Sequence, residues 1–175
     1  MTLEQIFAWL PNYAKDLKSN LVSVLNQAEL SPTQAWGSAV ASALAARNST
    51  LYRAIVMEAC KHISQEALES AKAAGAIMDM NNIFYRFQHL AENERYNNIP
   101  ARLRMNVLRT HGTDPKDFEL WCIAVSAVNG SSRCISTHEK ALLATGATEE
   151  TIAACIRIAS VIYATAAVLD AEVIA

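Results

Sequence analysis

Trp121-Cys-Ile-Ala-Val-Ser-Ala-Val-Asn-Gly-Ser-Ser-Arg-Cys-Ile-Ser-Thr-His-Glu139 joins a helix, a stop and a second helix in one short run. Its first part is Ala- and Val-rich without the strict alternation of a half-buried strand, so it reads as helix. Asn129-Gly130 is a C-terminal stop, because glycine enters the left-handed region without penalty. Ser131 and Ser132 stand where a hydroxyl can cap the next helix. The first helix reaches back to Lys116, and the second continues to Thr145-Gly146.

Similar punctuation recurs along the chain. Pro11 breaks an opening helix. Ser31-Pro32 supplies an N-cap and a proline in the first turn, with helix from Gln34 to Ala46. Arg47-Asn48-Ser49-Thr50 is a turn, followed by a helix through His62, and Ser64 starts another. Asn93 to Pro100 and His111 to Lys116 read as polar connections. Thr148 caps the last helix, with Glu149 and Glu150 in the first turn, where the helix dipole favours them. The expected fold class is all-α. Trp36-Gly-Ser-Ala-Val-Ala-Ser-Ala echoes Trp121-Cys-Ile-Ala-Val-Ser-Ala-Val at an offset of 85 positions. The echo suggests one all-α domain over 1–175, with related halves at about 1–92 and 93–175. Only the second copy carries a thiol after its first helix; the first has Arg47-Asn48-Ser49.

Composition narrows the function. The 175 residues are 52% hydrophobic and 18% charged, so the chain needs apolar surface buried in a core or in subunit contacts. A formal net charge of -2 gives no electrostatic footprint for nucleic acid. The start has no basic region and carries Glu4, so no secretory signal is read and the expected location is the cytoplasm. Cys60, Cys122, Cys134 and Cys155 are then free thiols. Ile152 to Leu169 is apolar but interrupted by Arg157, and reads as a buried helix in place of a membrane span.

The candidate chemistry lies at the second helix start. Cys134 falls in the first turn, where unpaired N–H groups and the positive end of the dipole favour a thiolate. Arg133 adds positive charge. His138 at i+4 and Ser131 at i−3 share a face with Cys134, bringing together a thiol, an imidazole and a hydroxyl. A thiol with an imidazole one turn away is a nucleophile–base pair, and peroxide oxidises a thiolate to sulfenic acid. The plainer reading makes Cys134 a small core residue and His138 a surface side chain. A zinc site is disfavoured, because no second ligand pair stands at short spacing. Glu119 is either a desolvated proton carrier in apolar company or an exposed helix glutamate. Cys60, Cys122 and Cys155 sit in apolar helical patterns and read as packing residues. Phe84, Tyr85 and Phe87 beside Met78 and Met80 read as core or a subunit contact.

These residues resemble the motif of alkyl hydroperoxidase D, within the carboxymuconolactone decarboxylase-like superfamily: Glu, twelve positions to Cys-x-x-Cys, then x-x-x-His. The register gives Glu119, Ser131, Cys134 and His138. Phe118-Glu-Leu-Trp, Leu10-Pro-Asn-Tyr-Ala-Lys-Asp-Leu-Lys and Met80-Asn-Asn-Ile-Phe-Tyr-Arg are also similar, so the resemblance covers almost the whole chain. It implies an all-α homotrimer without metal, haem or other bound cofactor. It also implies an antioxidant dithiol–disulfide cycle that reduces an oxidised peroxiredoxin. Electrons would come from lipoyl groups (dihydrolipoamide) of 2-oxoacid dehydrogenase components, with weak direct reduction of alkyl hydroperoxides. Cys134 would attack, the cysteine expected at 131 would close the disulfide, and Glu119 and His138 would relay protons. Ser131 cannot form a disulfide, so this chain is expected to be inactive or to stop after one turnover. Retention of every other motif position favours an engineered Cys→Ser trap over a natural one-cysteine variant. Arg133 stands where a His is expected. The alternatives are an acid–base enzyme of the lactone-decarboxylase kind, without thiol cycling, and a non-enzymatic interaction protein.

Overall fold

The computed structural model describes residues 1–172. Its described residues form helices α1 (Leu3–Trp9), α2 (Lys15–Val24), α3 (Pro32–Ala45), α4 (Ser49–Ala59), α5 (Gln65–Leu90), α6 (Val107–Thr110), α7 (Pro115–Val128), α8 (Ser132–Ala144) and α9 (Glu149–Ala171), and no strand. Short 3₁₀ turns occupy Asn12–Ala14 and Glu94–Asn98. The all-α expectation holds, and the reason is local. Ser31 and Thr148 accept hydrogen bonds from the backbone three residues on, and Pro32 and Pro115 open their helices.

The central helices are α3 and α7. They pack on each other, and both pack on α5 and α9. Their small residues allow this: Ala39, Val40, Ala41 and Ala43 on α3 and Cys122, Ala124 and Val125 on α7 are buried. At Gly37 the approach is so close that a Cβ would collide with the Trp121 indole.

The two stretches α3–α4–α5 and α7–α8–α9 follow the same order of caps and breaks, but not at the spacing of the tryptophans. Pro32 and Pro115 are 83 apart, as are the helix ends Ala45 and Val128 and the N-caps Asn48 and Ser131. At that spacing Trp36 corresponds to Glu119, so the tryptophan echo is out of register by two positions. Helix geometry, set by cap and proline, overrides the composition match.

Three further expectations are corrected. Helix α4 ends at Ala59, short of His62, because Lys61 and His62 donate to carbonyls three residues back and tighten the last turn. Cys60 consequently sits in the turn and is exposed, so it is not a packing residue. By length and composition alone α9 does reach the size of a membrane span. In this fold half of its most apolar window is buried against protein, with Ile158 and Ile162 fully covered.

Gly37→Ala should lower stability by about 2 kcal/mol, the usual cost of overpacking a rigid core contact. Urea denaturation followed by circular dichroism measures this, and an unchanged midpoint would contradict the packing described for Trp121.

Candidate functional site

The α7–α8 junction is built from the backbone outward. Gly130 adopts φ +64. Gly130 N–H donates to Ala127 O at 3.1 Å and Ser131 N–H to Ser126 O at 3.0 Å, the hydrogen-bond pair of a Schellman motif. Ser131 is thus both the residue that closes α7 and the N-cap of α8. The expected hydroxyl cap does not form: Ser131 makes no side-chain cap hydrogen bond. Closing α7 leaves its side chain fully buried, and Oγ finds no partner among the described residues. Asn48, at the matching point of the first half, does cap its helix, accepting from Leu51 N–H at 2.8 Å.

Cys134 is the third residue of α8, in the first turn, and is buried apart from its contact with a cleft of about 290 Å³. His138 lines the same cleft one turn later. His138 Nδ1 lies 2.7 Å from Glu119 Oε2 on α7. Glu119 is partly exposed, and its carboxylate is engaged by the imidazole. The contact occupies Nδ1 and leaves Nε2 as the ring nitrogen outside the pair. The structure thus brings Cys134, His138 and Glu119 together and leaves Ser131 behind the cleft wall. Among the described residues no hydrogen bond joins Cys134 to His138, and no cluster of three His, Cys, Asp or Glu side chains is placed to hold a metal ion.

The other wall comes from α5. Met78, Asn81 and Tyr85 line it at i, i+3 and i+7, the spacing of one helix face. Met105 and Leu108 complete the apolar rim. Met78 is the core residue its sequence reading gave and Tyr85 packs against the core, and both also line the cleft. Asn81 went unnoticed; its signal was a polar residue at helical spacing between Met78 and Tyr85. Arg133 Nη1 donates to Gln88 Oε1 at 3.3 Å and to Asn97 Oδ1 at 3.1 Å, with its guanidinium 5.4 Å from the Tyr85 ring centroid. It stands between the thiol cleft and a more polar depression of about 450 Å³ that holds no thiol.

The buried thiols differ from Cys134 in surroundings. Cys122 is pushed well above the ordinary thiol range by burial, and the nearby Glu119 and Cys134 charges push the same way. Cys155 is pushed up to about 12 by burial, against a smaller opposing effect of the Ser38 hydroxyl 3.2 Å away. Both keep their protons at neutral pH and read as packing residues.

The carboxymuconolactone decarboxylase family matches residues 94–175, the stretch that holds Glu119, Ser131, Cys134 and His138. The alkyl hydroperoxide reductase AhpD of Solibacter usitatus is 55% identical over 172 residues, covering 98% of this chain and 97% of that protein. Similar proteins of the same name occur in Acidobacterium capsulatum, 54% identical over 98% of this chain and 94% of that protein, and in Koribacter versatilis, 56% identical over 98% and 89%.

At pH 8, iodoacetamide should modify Cys60 and leave Cys122 and Cys155 untouched in the folded protein, because raised pKa values keep those two protonated. Peptide mass spectrometry reads the outcome. Modification of Cys122 as fast as Cys60 would contradict the burial argument.

Proposed function

The chain belongs to the alkyl hydroperoxide reductase AhpD family, and from that premise we propose that Cys134 is its peroxide-reacting thiol. The observation that carries the reading is one cleft holding a first-turn cysteine and an imidazole whose far nitrogen is held by a carboxylate. In the reaction, the Cys134 thiolate attacks the terminal oxygen of a hydroperoxide. His138 Nε2 holds the proton taken from the Cys134 thiol; as an S–O bond forms and the O–O bond breaks, it passes that proton to the departing alkoxide, which leaves as the alcohol. Sulfur is oxidised to sulfenic acid as the peroxide is reduced. Glu119 orients the imidazole and offsets its charge when protonated.

A second cysteine at 131 would attack the sulfenic sulfur, release water and leave a disulfide. A dithiol, the reduced lipoyl group of a 2-oxoacid dehydrogenase component, would then reopen it. The same disulfide cycle would reduce an oxidised peroxiredoxin. The buried, unpartnered Ser131 hydroxyl supports this account of position 131. A hydroxyl left without a partner costs about 1–3 kcal/mol, whereas a thiol there behaves as a small apolar group. With serine present, the cycle stops at the sulfenic acid or at a mixed disulfide. The same reading makes the protein a cytoplasmic homotrimer, with exposed Ile83, Phe87 and Leu90 on α5 offering an apolar face for subunit contact.

The acid–base alternative draws on the same Glu119–His138 pair and needs no sulfur. Ser131→Cys should confer catalytic, dihydrolipoamide-dependent reduction of an alkyl hydroperoxide, and Cys134→Ser in that background should abolish it. Equal turnover with and without Cys134 would sink the thiol reading. Decarboxylation of a muconolactone by the unmodified chain would favour the alternative.

A further inference from the structure

Asn81 and Asn82 are adjacent buried amides on α5, and only one has a structural task. Asn82 Oδ1 accepts from the Ser126 hydroxyl at 3.2 Å and ties α5 to α7. Asn81 is 4% exposed and lines the thiol cleft, yet its Oδ1 has no partner among the described residues. A buried acceptor without a donor costs about 1–3 kcal/mol, and at the cleft wall a donor arriving from outside would remove that cost. The other polar groups on the cleft wall are largely committed. The Thr137 hydroxyl donates to Arg133 O, Arg133 to Gln88 and Asn97, and His138 Nδ1 is held by Glu119. Among the described residues that line the cleft, the buried side-chain oxygen left without a partner is Asn81 Oδ1.

We propose that Asn81 Oδ1 binds the hydroperoxide's own O–H, and so selects and orients the peroxide in front of Cys134. This rests on Cys134 being the reactive thiol. The reaction itself explains why an acceptor is useful there. Thiolate attack occurs on the terminal oxygen, which keeps its hydrogen: RS⁻ and HO–OR become RS–OH and RO⁻, and His138 then protonates RO⁻ to ROH. The hydrogen that Asn81 accepts from the bound hydroperoxide is therefore the one it accepts from the sulfenic acid. One hydrogen bond spans substrate, transition state and product, and it aims the terminal oxygen, not the alkoxy oxygen, at sulfur. Asn81 would also shelter the sulfenic acid until a second thiol reaches it.

The test uses the chain as it stands, because Ser131 isolates the first step. Asn81→Leu keeps the size and removes the acceptor; Asn81→Ala removes it while leaving space. Stopped-flow loss of the Cys134 thiol would be followed with tert-butyl hydroperoxide. Methyl methanethiosulfonate and 2,2′-dipyridyl disulfide, electrophiles with no O–H or N–H to donate, serve as controls. Both variants should react with the hydroperoxide about tenfold or more slowly, the effect of losing one substrate hydrogen bond, while the two control rates stay within about twofold. Dimedone trapping should show a shorter-lived sulfenic acid. An equal fall in all three rates would mean that Asn81 acts only through structure and would overturn the proposal, as would an unchanged hydroperoxide rate. If the unmodified Cys134 reacts with the hydroperoxide no faster than a free thiol, the thiol reading itself fails, a result separable from failure at Asn81.

Discussion

Gly130 at φ +64 turns the chain so that the end of α7 becomes the start of α8 with no spacer. A non-glycine residue there would meet no neighbour, since nothing lies within 4 Å of an added Cβ. The constraint is conformational, worth roughly 1–2 kcal/mol for an L-residue. It is met differently in the first half, where Arg47 takes φ 62 at the corresponding point. Everything in the site follows from that turn. It places Cys134 in the first turn of α8, puts Glu119 two turns before the end of α7 within reach of His138, and buries position 131 between the two helices.

Helix α5 holds the junction in place and then supplies the facing wall. Asp79 Oδ1 accepts from Asn129 Nδ2 at 2.8 Å, and Arg86 Nη1 donates to Asn129 O at 2.5 Å. With Asn82 on Ser126, these contacts run along one stripe of α5 at i, i+3 and i+7 and satisfy backbone and side-chain groups that the helix break leaves open. The neighbouring stripe, Met78, Asn81 and Tyr85, is thereby presented to the cleft. Because one rigid helix does both, the distance from the cleft wall to the thiol is tied to the geometry of the α7–α8 turn.

The polar residues of this region divide by whether they are satisfied. Ser126, Asn129 and Asp79 are bonded, as is Asn82 through its Oδ1, and they read as scaffold. Ser131 Oγ and Asn81 Oδ1 are buried and unbonded. These are the groups on which the proposed roles of positions 131 and 81 rest. The Glu119–His138 pair is satisfied internally and leaves one ring nitrogen for proton exchange. Among the described residues Ser42 Oγ, Asn82 Nδ2 and Trp121 Nε1 are also buried without a partner, but none of these three residues lines the thiol cleft.

Much of this was legible in the chain. Proline, serine and glycine punctuation gave most helix limits, because caps and stops are local hydrogen-bonding events that need no tertiary partner. The i+4 spacing put Cys134 and His138 on one face for the same reason. Sequence alone did not give the partner of Glu119, the burial of Ser131 or the cleft role of Met78, Asn81 and Tyr85. It misread Cys60 as packed and aligned the halves two positions out of register on Trp36 and Trp121. Those features depend on which helix faces meet, and many Ala-rich faces are interchangeable until they pack. Local chemistry therefore determined the helices and the place of Cys134 at a helix start. Only tertiary packing decided which side chains were left without a partner, because a hydrogen bond between residues 19 or 44 positions apart, as at His138–Glu119 and Ser126–Asn82, exists only once the helices are assembled.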